Sequence, residues 1–350
     1  MKVLMVEHFL PGSVYTLELC RALRTEEQIT IFCRKGAPRP LEGVQWKDKL
    51  YAGGKGWAEA LMRYGGGLLA LAAEICTGHY DVLHVQGFKD ARYEIPLYCK
   101  LKRHCGILVH TVHNLLPHEA SPRDRRLYGD FYRVCDLLVV HNLYCRQLLM
   151  DEYHLPPEKI CVTPHGSYTQ ISPKEHQLHT EKTEFLQFGV LRRYKGVDIL
   201  LEALARMTET QRSRVHVTVA GQQFPKLDAT DYAALIREKG LEGRVTLQLG
   251  HVPDEALDAL YQEADFCLFP YREIYGSGAL LMAYSYSKPV LASSIPAFEE
   301  ETDGGCTGLL FPPEEPDALK DAILRAADWT EETLSLIHIS EPTRRRGISY

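Results

Sequence analysis

The sequence predicts an α/β protein with two doubly wound domains that face a central cleft, and three observations support this fold class. Short apolar runs alternate with segments of helical period, which is typical of βαβ units around a parallel sheet. The alternation stops at a polar, unperiodic stretch around residues 166–184 and then starts again. A length of 350 residues is also natural for two domains.

The first half supplies the elements of the first predicted domain. The predicted strands are KVLMV, ITIFC, DVLHV, ILVHTV, DLLVVH and KICVTP. The predicted helices between them are VYTLELCRAL, WAEALMRYGGGLLALAAEI, ARYEIPLYCKLKR and LYCRQLLMDEYH. Because doubly wound sheets bind ligands at the carboxyl ends of their strands, we expect the functional residues in the loops that follow the strands.

The second half repeats the same alternation. Its predicted strands are Glu184–Phe188, Val215–Ala220, Val245–Gln248, Phe266–Phe269 and Pro289–Ala292. Its predicted helices are Val197–Arg206, Asp231–Lys239, Asp254–Ala264, Gly278–Tyr286 and Asp317–Ala327. We therefore predict a first domain over residues 1–170, a linker over 171–183 and a second domain over 184–334.

The last residues do not continue this pattern. From residue 335 the sequence is SLIHISEPTRRRGISY, which has no helical period. The string resembles the translated read-through of a sequencing adapter, so we expect residues 335–350 to be a non-native tail. A natural basic tail is the alternative.

Composition and charge exclude several classes of protein. A formal net charge of −6 argues against a general nucleic-acid binder. The charge is uneven, because residues 1–175 carry 22 Lys and Arg against 19 Asp and Glu, and the remainder carries 18 against 27. The ten cysteines form no CxxC pair, which argues against a zinc site or a disulfide framework. No apolar run reaches 18 residues, so we expect a cytoplasmic protein that could still contact a membrane surface.

The stretch FPYREIYGSGALLMAYSY, residues 269–286, predicts a phosphate-binding joint between a strand and a helix. Gly276, Ser277 and Gly278 come just before the helix, where the first backbone N–H groups have no helical partner and favour an anion. Glycine permits a close approach of the backbone, and Ser277 can cap the helix or contact a phosphate. The alternative is an ordinary strand–turn–helix connection with a serine cap.

A second joint in the same half, FLQFGVLRRYKGVDILLEAL, combines a strand end with Gly189 and a cluster of cations. Arg192, Arg193 and Lys195 follow the strand, and cations at this position suit a diphosphate. The alternative is an exposed basic turn, which we expect to describe one of the two arginines.

Histidines follow two strands of the first half. ILVHTVHNLLPHE contains His110, His113 and His118, and VTPHGSY contains His165. Such loop histidines can supply a polar or general-base group. The order of His and Glu differs from the H-E-x-x-H zinc motif, so we predict no metal. A hydrogen-bonded structural histidine is the alternative for each, and we favour it for His110.

Over about residues 1–330 the chain resembles the family 4 glycosyltransferases of GT-B fold, which have two Rossmann-like domains. The matching stretches are the Gly12 turn, TVHNLLPHE, TPHGSY, FGVLRRYKGVDILLEAL, VAGQ, LGHVPDEALDALYQEADFCLFPYRE, SGALL, KPVLAS and GLLFPP. Each is short, but their order and spacing together are specific. The resemblance implies an acceptor on the first domain and a nucleotide-diphospho-sugar donor on the second.

The resemblance also implies roles for individual residues. The residues it places at the reaction are His113, Glu273, Arg192 and Lys195. The residues it places around the donor are Gly12, Gly189, Arg192, Lys195, Gly221, His251, Val252, Glu273, Ser277, Gly278 and Ala279. The residues on the acceptor side are His118, Glu119 and His165. Met282 departs from the family pattern, which often has a second glutamate there for the nucleotide ribose.

The expected activity is transfer of a sugar with retention, without a metal or another cofactor, in the synthesis of a bacterial surface polysaccharide or glycan. The acceptor would be a saccharide or a lipid-linked saccharide. The stretch FKDARYEIPLYCKLKRH could then contact the inner membrane, although an ordinary core helix is the favoured interpretation. The alternatives are a non-catalytic nucleotide-sugar-binding homologue and a nucleotide-sugar epimerase or a phosphorylase of the same fold.

Overall fold

The computed structural model describes residues 1–10, 14–51, 53, 56–117, 120–166, 168, 171–174, 177–330 and 332. The chain forms two compact units, which we call unit 1 and unit 2, and they divide between His165 and Gly166. In the part of the chain that the structure describes, no helix is both long and apolar enough to cross a membrane.

Unit 1 is a parallel sheet with connecting helices. Its strands are β1 (Lys2–Glu7), β2 (Gln28–Arg34), β3 (Gln45–Leu50), β4 (Tyr80–Val85), β5 (Cys105–Thr111), β6 (Leu137–Val140) and β7 (Ile160–Val162). Its helices are α1 (Val14–Leu23), α2 (Trp57–Gly78), α3 (Ala91–Leu101), α4 (Pro122–Val134) and α5 (Leu143–Tyr153). The strand order is β3-β2-β1-β4-β5-β6-β7, and every neighbouring pair is parallel.

Unit 2 has the same architecture. Its strands are β8 (Thr183–Phe188), β9 (Val215–Gly221), β10 (Val245–Leu249), β11 (Phe266–Phe269), β12 (Val290–Ser293) and β13 (Gly308–Phe311). Its helices are α6 (Val197–Ala205), α7 (Glu209–Ser213), α8 (Tyr232–Glu238), α9 (Asp254–Glu263), α10 (Gly278–Ser285), α11 (Pro296–Glu301) and α12 (Pro316–Ala327). The order is β10-β9-β8-β11-β12-β13, again all parallel.

The apolar runs predicted as strands form cores on both faces of the sheets. Phe185 packs in one buried cluster of unit 2, and the next residue, Leu186, packs in another. Successive side chains of a strand point to opposite faces, so each central strand contributes to two cores. This explains why the central strands are continuously apolar, as expected for parallel sheets that are covered on both faces.

The strand order places a switch point in each unit. In both sheets the order reverses beside the first strand, between β1 and β4 in unit 1 and between β8 and β11 in unit 2. The loops that follow the two neighbouring strands run in opposite directions, so a crevice opens between them at the carboxyl edge of the sheet. Such sheets bind ligands in this crevice. The two joints singled out in the sequence, after β8 and after β11, flank the switch point of unit 2.

Several elements of the structure are missing from the sequence prediction. Strand β3 is a polar edge strand, QWKDKL, with one buried residue, so it lacks the apolar run that marks the other strands. Helix α4 was also missed, although Ser121 and Asp124 form a capping box at its start. The short elements α7, α11 and β13 were not predicted either, because they offer too few residues for a periodic pattern.

The described part of the predicted linker packs on unit 2. The Lys174 amide donates to the Gln262 side chain (3.2 Å), and the His179 amide donates to Asp265 (3.1 Å). Asp265 is buried and also accepts from the amide of Glu184 (2.7 Å). The segment is therefore held against Gln262 of α9 and against Asp265 by hydrogen bonds from its backbone amides to these side chains, which a polar sequence without periodicity does not reveal.

Candidate functional site

Lys195 is a buried cation at the switch point of unit 2. It ends a short 3-10 helix, Arg193–Lys195, that follows β8, and its residue surface is only 9% exposed. Its Nζ lies 5.4 Å from the centre of the Tyr271 ring. Among the described residues no carboxylate forms an ion pair with it. Burial, and next the charge of Arg192, lower the pKa of Lys195 to about 8.

Two glycines lie at the carboxyl ends of the strands beside this ammonium group. Gly189 follows β8 and Gly221 ends β9, with φ of +127° and +144°, a region that residues with a side chain rarely adopt. A Cβ on Gly189 would lie 2.3 Å from Lys195 Nζ, and a Cβ on Gly221 would lie 2.0 Å from the Gly189 carbonyl oxygen. Both positions therefore require glycine, and the backbone at the ends of β8 and β9 can approach a ligand closely.

The two arginines of the joint differ in environment. Arg192 is half-buried, and Arg193 is exposed. The Arg193 carbonyl oxygen accepts a hydrogen bond from Arg272 Nη1 (2.6 Å), so its backbone has a structural role. This agrees with the expectation that one of the two arginines lies in an exposed turn, and Arg192 is the one beside Lys195.

Arg272, which the sequence analysis did not single out, connects the two joints. Its guanidinium makes two hydrogen bonds to the Asp198 carboxylate (2.9 and 2.7 Å) and one to Glu314 (3.0 Å). Its amide donates to the Tyr194 carbonyl oxygen (2.7 Å). A bidentate arginine–carboxylate pair fixes both distance and orientation. Arg272 therefore holds the β11–α10 loop, which carries Glu273, against the start of α6.

Ser277 opens α10 as its N-cap. Its hydroxyl accepts a hydrogen bond from the Leu280 amide (3.2 Å), as the sequence predicts for a capping serine. We expected the Ser277 amide to face a phosphate, but it donates to the Glu301 carboxylate (3.1 Å). The amides at this end of α10 that could face a phosphate are therefore those of Gly278 and Ala279, the first two helical residues.

Other predicted donor residues surround the same edge of unit 2. Glu273 is exposed in the β11–α10 loop, and His251 is exposed directly after β10. Val252 is partly buried against the apolar cluster beneath α10. Met282 packs against that same cluster, so the position that often carries a second glutamate in the family is occupied here by a partly buried apolar side chain.

In unit 1, histidines from separate loops converge around Tyr15 of α1. The Tyr15 ring centre lies 5.0 Å from that of His113, 4.8 Å from that of His141 and 4.9 Å from that of His165. These histidines follow β5, β6 and β7, which are neighbours in the sheet. We call these four side chains the histidine cluster. His141 was not predicted, because a single histidine after a strand has no distinguishing spacing.

Hydrogen bonds set the tautomers in the histidine cluster. His141 Nδ1 lies 3.0 Å from the Thr163 carbonyl oxygen, which can only accept, so Nδ1 carries the hydrogen. His141 Nε2 is then free to accept from Nδ1–H of His113, at 3.4 Å. His113 Nε2 lies 3.2 Å from Oε1 of buried Gln86, which can only accept, so a neutral His113 donates either to Gln86 through Nε2 or to His141 through Nδ1. Gln86 and His141 therefore contact the His113 ring from two sides, and its single hydrogen serves one of them.

His113 and His141 are uncharged at neutral pH. Burial, followed by the nearby His141, holds the pKa of His113 well below its usual value. Burial lowers the pKa of His141 to about 4. Neutral imidazoles can both donate and accept, which suits hydroxyl groups better than anions. His110 is different: it lies in the core, where Nδ1 donates to the Val85 carbonyl oxygen (2.8 Å), as expected for a structural histidine.

Glu7 shapes the edge of unit 1 beside its switch point. This buried carboxylate, at the end of β1, accepts from the Phe9 amide (2.7 Å) and from the Thr16 hydroxyl (2.6 Å). It therefore joins the end of β1 to α1. Three predicted site residues, Gly12, His118 and Glu119, lie outside the residues that the structure describes.

The described residues contain no group of three or more His, Cys, Asp or Glu side chains that could hold a metal ion. The geometry instead gives unit 2 a pair of cations with free helix amides, and gives unit 1 a neutral, hydrogen-bonding cluster. Cations and amides at a switch point can bind a phosphate, and a neutral polar edge can bind a hydroxylated ligand.

Family models match both units. Residues 12–170 match the model described as Glycosyltransferase Family 4, and residues 182–328 match the model described as Glycosyl transferases group 1. The matched ranges follow one another along most of the chain.

Individual proteins are similar over long stretches. The chain is 27% identical to D-inositol 3-phosphate glycosyltransferase of Corynebacterium aurimucosum, covering 93% of this chain and 84% of that protein. It is also 27% identical to GDP-mannose:glycolipid 4-beta-D-mannosyltransferase of Xanthomonas campestris pv. campestris, over 63% of each, so this match spans less than two thirds of that relative. Sucrose-phosphate synthase from Thermosynechococcus elongatus superposes with a TM-score of 0.76, over 96% of this chain and 94% of that one. Its identity is 17%, so this likeness shows the fold alone.

Proposed function

The chain belongs to the family 4 glycosyltransferases of GT-B fold, and from this membership we propose that it transfers a hexose from a nucleotide-diphospho-sugar. The acceptor is a saccharide or a lipid-linked saccharide, and the anomeric configuration is retained. The observation that carries the proposal is the buried ammonium of Lys195 at the switch point of unit 2. A buried cation without a carboxylate partner is costly unless an anion binds it, and a diphosphate supplies that anion.

The proposed step develops charge where these groups lie. Breaking the bond between the anomeric carbon and the phosphate oxygen leaves positive character on the sugar and negative charge on the nucleoside diphosphate. Lys195, Arg192 and the first amides of α10 stabilise that negative charge. Fixed groups of this kind need no reorganisation during the reaction, and the loss of one costs on the order of 10²–10³ in rate.

The remaining predicted residues have roles around this centre. In the proposal Glu273 binds hydroxyl groups of the donor sugar, and His251 and Val252 border the base. His113 acts at the reacting sugar, with its ring oriented by His141 and Gln86. His165 belongs to the acceptor side, together with His118 and Glu119 of the sequence analysis, and Gly12 belongs to the donor side.

We propose that the reaction needs no metal and no other cofactor. Two cations, Lys195 and Arg192, lie next to each other at the joint after β8, close enough for the charge of Arg192 to lower the pKa of Lys195. Bound diphosphate would be neutralised by these two side chains and by the α10 amides. This is the role that a divalent cation plays in enzymes that lack such groups.

The biological setting of the proposal is the synthesis of a bacterial surface polysaccharide or glycan on the cytoplasmic face of the inner membrane. Two similar proteins, both bacterial, are described as acting on inositol phosphate and on a glycolipid. A glycolipid acceptor would require the chain to work at a membrane surface.

A non-catalytic nucleotide-sugar-binding homologue is the second candidate. Met282 favours it, because a methionine cannot accept a hydrogen bond from the ribose hydroxyl groups as a glutamate can. Donor binding without transfer to any acceptor and without slow hydrolysis would support this candidate over the enzyme.

The first test measures donor binding by thermal shift with UDP-, GDP-, ADP- and dTDP-sugars, on the wild type and on Lys195→Met. A donor at 100 times its Kd adds about 2.7 kcal/mol of stability, so binding is readily detected. We expect one nucleotide class to stabilise the wild type and to have no effect on Lys195→Met.

Lys288→Met is the matched control. Lys288 is also buried, its pKa is also lowered to about 8 by burial, and it precedes β12 at the opposite edge of the sheet, where Nζ donates to the Gln262 carbonyl oxygen (3.0 Å). This variant loses the same type of group but should keep the donor-induced shift. Equal donor responses of wild type and Lys195→Met would rule out the proposed phosphate site.

A further inference from the structure

Helix α2 has an apolar outer surface. It spans Trp57–Gly78, and four large apolar side chains on it are exposed: Trp57 (82%), Leu61 (58%), Met62 (71%) and Leu69 (74%). At 3.6 residues per turn these four fall within about half of the helix circumference. The other exposed residues of α2 are Ala, Gly or Cys, except for Arg63 and Thr77. We call this surface the α2 apolar face.

The opposite side of α2 is firmly packed. Gly67, Leu71 and Ile75 are its buried residues. A Cβ on Gly67 would lie 3.1 Å from the Lys49 carbonyl oxygen, so the helix backbone sits directly against β3. The α2 apolar face is thus a different side of the helix from the one that packs on unit 1. It is a second apolar surface on a helix that already has one.

Other exposed apolar side chains do not form such a surface. Leu143, Ile107 and Leu249 are exposed singly, on α5, β5 and β10, which is normal for globular proteins. Helices that are apolar on all sides are usually buried, and contiguous exposed apolar surface indicates an interaction site. The α2 apolar face is therefore a candidate interaction surface of unit 1.

We propose that the α2 apolar face binds an anionic membrane surface, with the helix lying in the boundary between headgroups and acyl chains. The proposal rests on the proposed function, in which the acceptor can be lipid-linked. The exposed residues of α2 offer almost no hydrogen-bonding side chains, whereas interfaces between proteins carry about one hydrogen bond per 100–200 Å². The hydrocarbon region of a membrane forms no hydrogen bonds with side chains, and tryptophan is favoured at the membrane boundary.

Charge supports the same partner. Residues 1–165 carry 21 Lys and Arg against 18 Asp and Glu, whereas the whole chain is negative. Lys49 is exposed on β3 beside α2. Arg63 on α2 and Arg92 on the adjoining α3 are also exposed, although each pairs with a neighbouring carboxylate, Glu59 (2.5 Å) and Asp90 (2.6 Å). Basic residues beside an apolar helix face add electrostatic attraction to anionic lipids.

The sequence analysis considered α3 for this contact, and the structure favours α2 instead. Glu94, Ile95 and Tyr98 of α3 are buried, so the apolar residues of that segment mostly face the core. Tyr93 is its one exposed large apolar side chain among the described residues, and its ring lies 6.3 Å from that of Tyr64 on α2. Tyr93 thus extends the α2 apolar face rather than forming a separate one.

The test is co-flotation of the full chain with vesicles, either of phosphatidylglycerol mixed with phosphatidylethanolamine or of phosphatidylcholine alone. We expect binding to the anionic vesicles and at least about tenfold weaker binding for the double variant Leu61→Glu with Leu69→Glu. Glutamate is a good helix former, so exposed positions of α2 should tolerate it. Leu143→Glu is the matched control, because Leu143 is also 58% exposed, also lies on a helix of unit 1, and should bind like the wild type.

Trp57 reports the contact directly. The other two tryptophans, Trp46 and Trp329, are partly buried against cores. We expect a blue shift of the emission on addition of anionic vesicles, and we expect Trp57→Phe to lack it. Equal vesicle binding of the double variant and the wild type, or no binding of the wild type to anionic vesicles, would overturn the proposal. A blue shift of the Trp57 emission as the protein concentration rises without vesicles, accompanied by the formation of dimers, would also overturn the proposal. It would assign the face to a second copy of the chain.

Measuring donor binding with the same protein preparations distinguishes a failure of this inference from a failure of the proposed function. A chain that shows a nucleotide-sugar thermal shift but no vesicle binding refutes the membrane surface alone. A chain that binds vesicles through α2 but no nucleotide-sugar refutes the proposed activity alone.

Discussion

At the scale of single residues, the proposed phosphate site depends on the amine of Lys195, whose charge depends on its surroundings. Lys195 is buried beside Tyr271 and Arg192, and its pKa is lowered to about 8. Below that pH the ammonium is charged and attracts a diphosphate. Above it the free protein holds a neutral amine, which can no longer balance the anion. The affinity of the proposed site should therefore depend on pH in a range where the donor diphosphate itself does not titrate.

We expect kcat/KM for the donor to be constant from pH 6.5 to about 8 and to fall about tenfold per unit at higher pH. This parameter reports ionisations of the free enzyme, so the fall follows the loss of the Lys195 proton. Lys195→Arg keeps the charge at every pH used, and any activity that it retains should lack this fall. A wild-type profile that stays flat up to pH 9.5 would contradict the assignment of Lys195.

At the scale of elements, the site depends on contacts between the loops that follow β8 and β11. Arg272 makes these contacts through Asp198, Glu314 and two backbone carbonyl groups. Its side chain is about one-fifth exposed, whereas those of Asp198 and Glu314 are 41% and 65% exposed, so the bidentate geometry with Asp198 matters more than shielding from water. These contacts of Arg272 keep Glu273 and the start of α10 at a fixed position relative to Arg192 and Lys195 in the loop after β8.

We expect Arg272→Lys to raise KM for the donor by on the order of tenfold with little loss of thermal stability, because a lysine cannot make the bidentate pair with Asp198. Arg206→Lys is the control. Arg206 also bridges two carboxylates, Glu202 (2.9 Å) and Asp317 (2.7 Å), but it lies at the far end of α6. Steady-state kinetics of both variants decide the matter: equal KM values in the two would mean that Arg272 has no positioning role.

At the scale of the whole molecule, unit 1 and unit 2 share a sheet design but differ in the charge state of their buried groups. The carboxyl edge of the unit 1 sheet holds neutral histidines, whereas that of unit 2 holds cations. Burial lowers the pKa of His84 to about 3 and those of His110 and His141 to about 4. The unfolded chain therefore binds more protons than the folded chain between about pH 4 and pH 6.5, and the stability of unit 1 must rise with pH there.

We expect the melting temperature of unit 1 to fall by about 5 °C or more between pH 7 and pH 5, measured by calorimetry. His84→Gln, which can still hydrogen-bond Thr111, should make this fall smaller. His154→Asn at an exposed helix end, where asparagine tolerates the positive φ of 53°, should leave it unchanged. A melting temperature that does not change with pH in this range would show that the buried histidines do not control acid stability.

The sequence by itself determined the architecture and the composition of the two joints. Continuous apolar strands and amphipathic helices encode parallel sheets, because buried strands need apolar side chains on both faces, and this prediction of two Rossmann-like domains is confirmed. Gly189, Lys195, Ser277 and Gly278 stand out in the sequence because glycines and cations directly after a strand suit a bound phosphate, and their donor role stays a prediction.

Only the tertiary structure decided which of these groups remain available and what holds them. The Ser277 amide is occupied by Glu301, a residue 24 positions away, and Arg272 reaches Asp198 across 74 positions. The histidine cluster forms because β5, β6 and β7 are neighbours. Likewise, apolar periodicity predicts helix α2 but cannot tell its inner side from its outer one. Local sequence fixes the period of an element and the chemistry of a turn, whereas contacts between distant segments depend on strand order and packing.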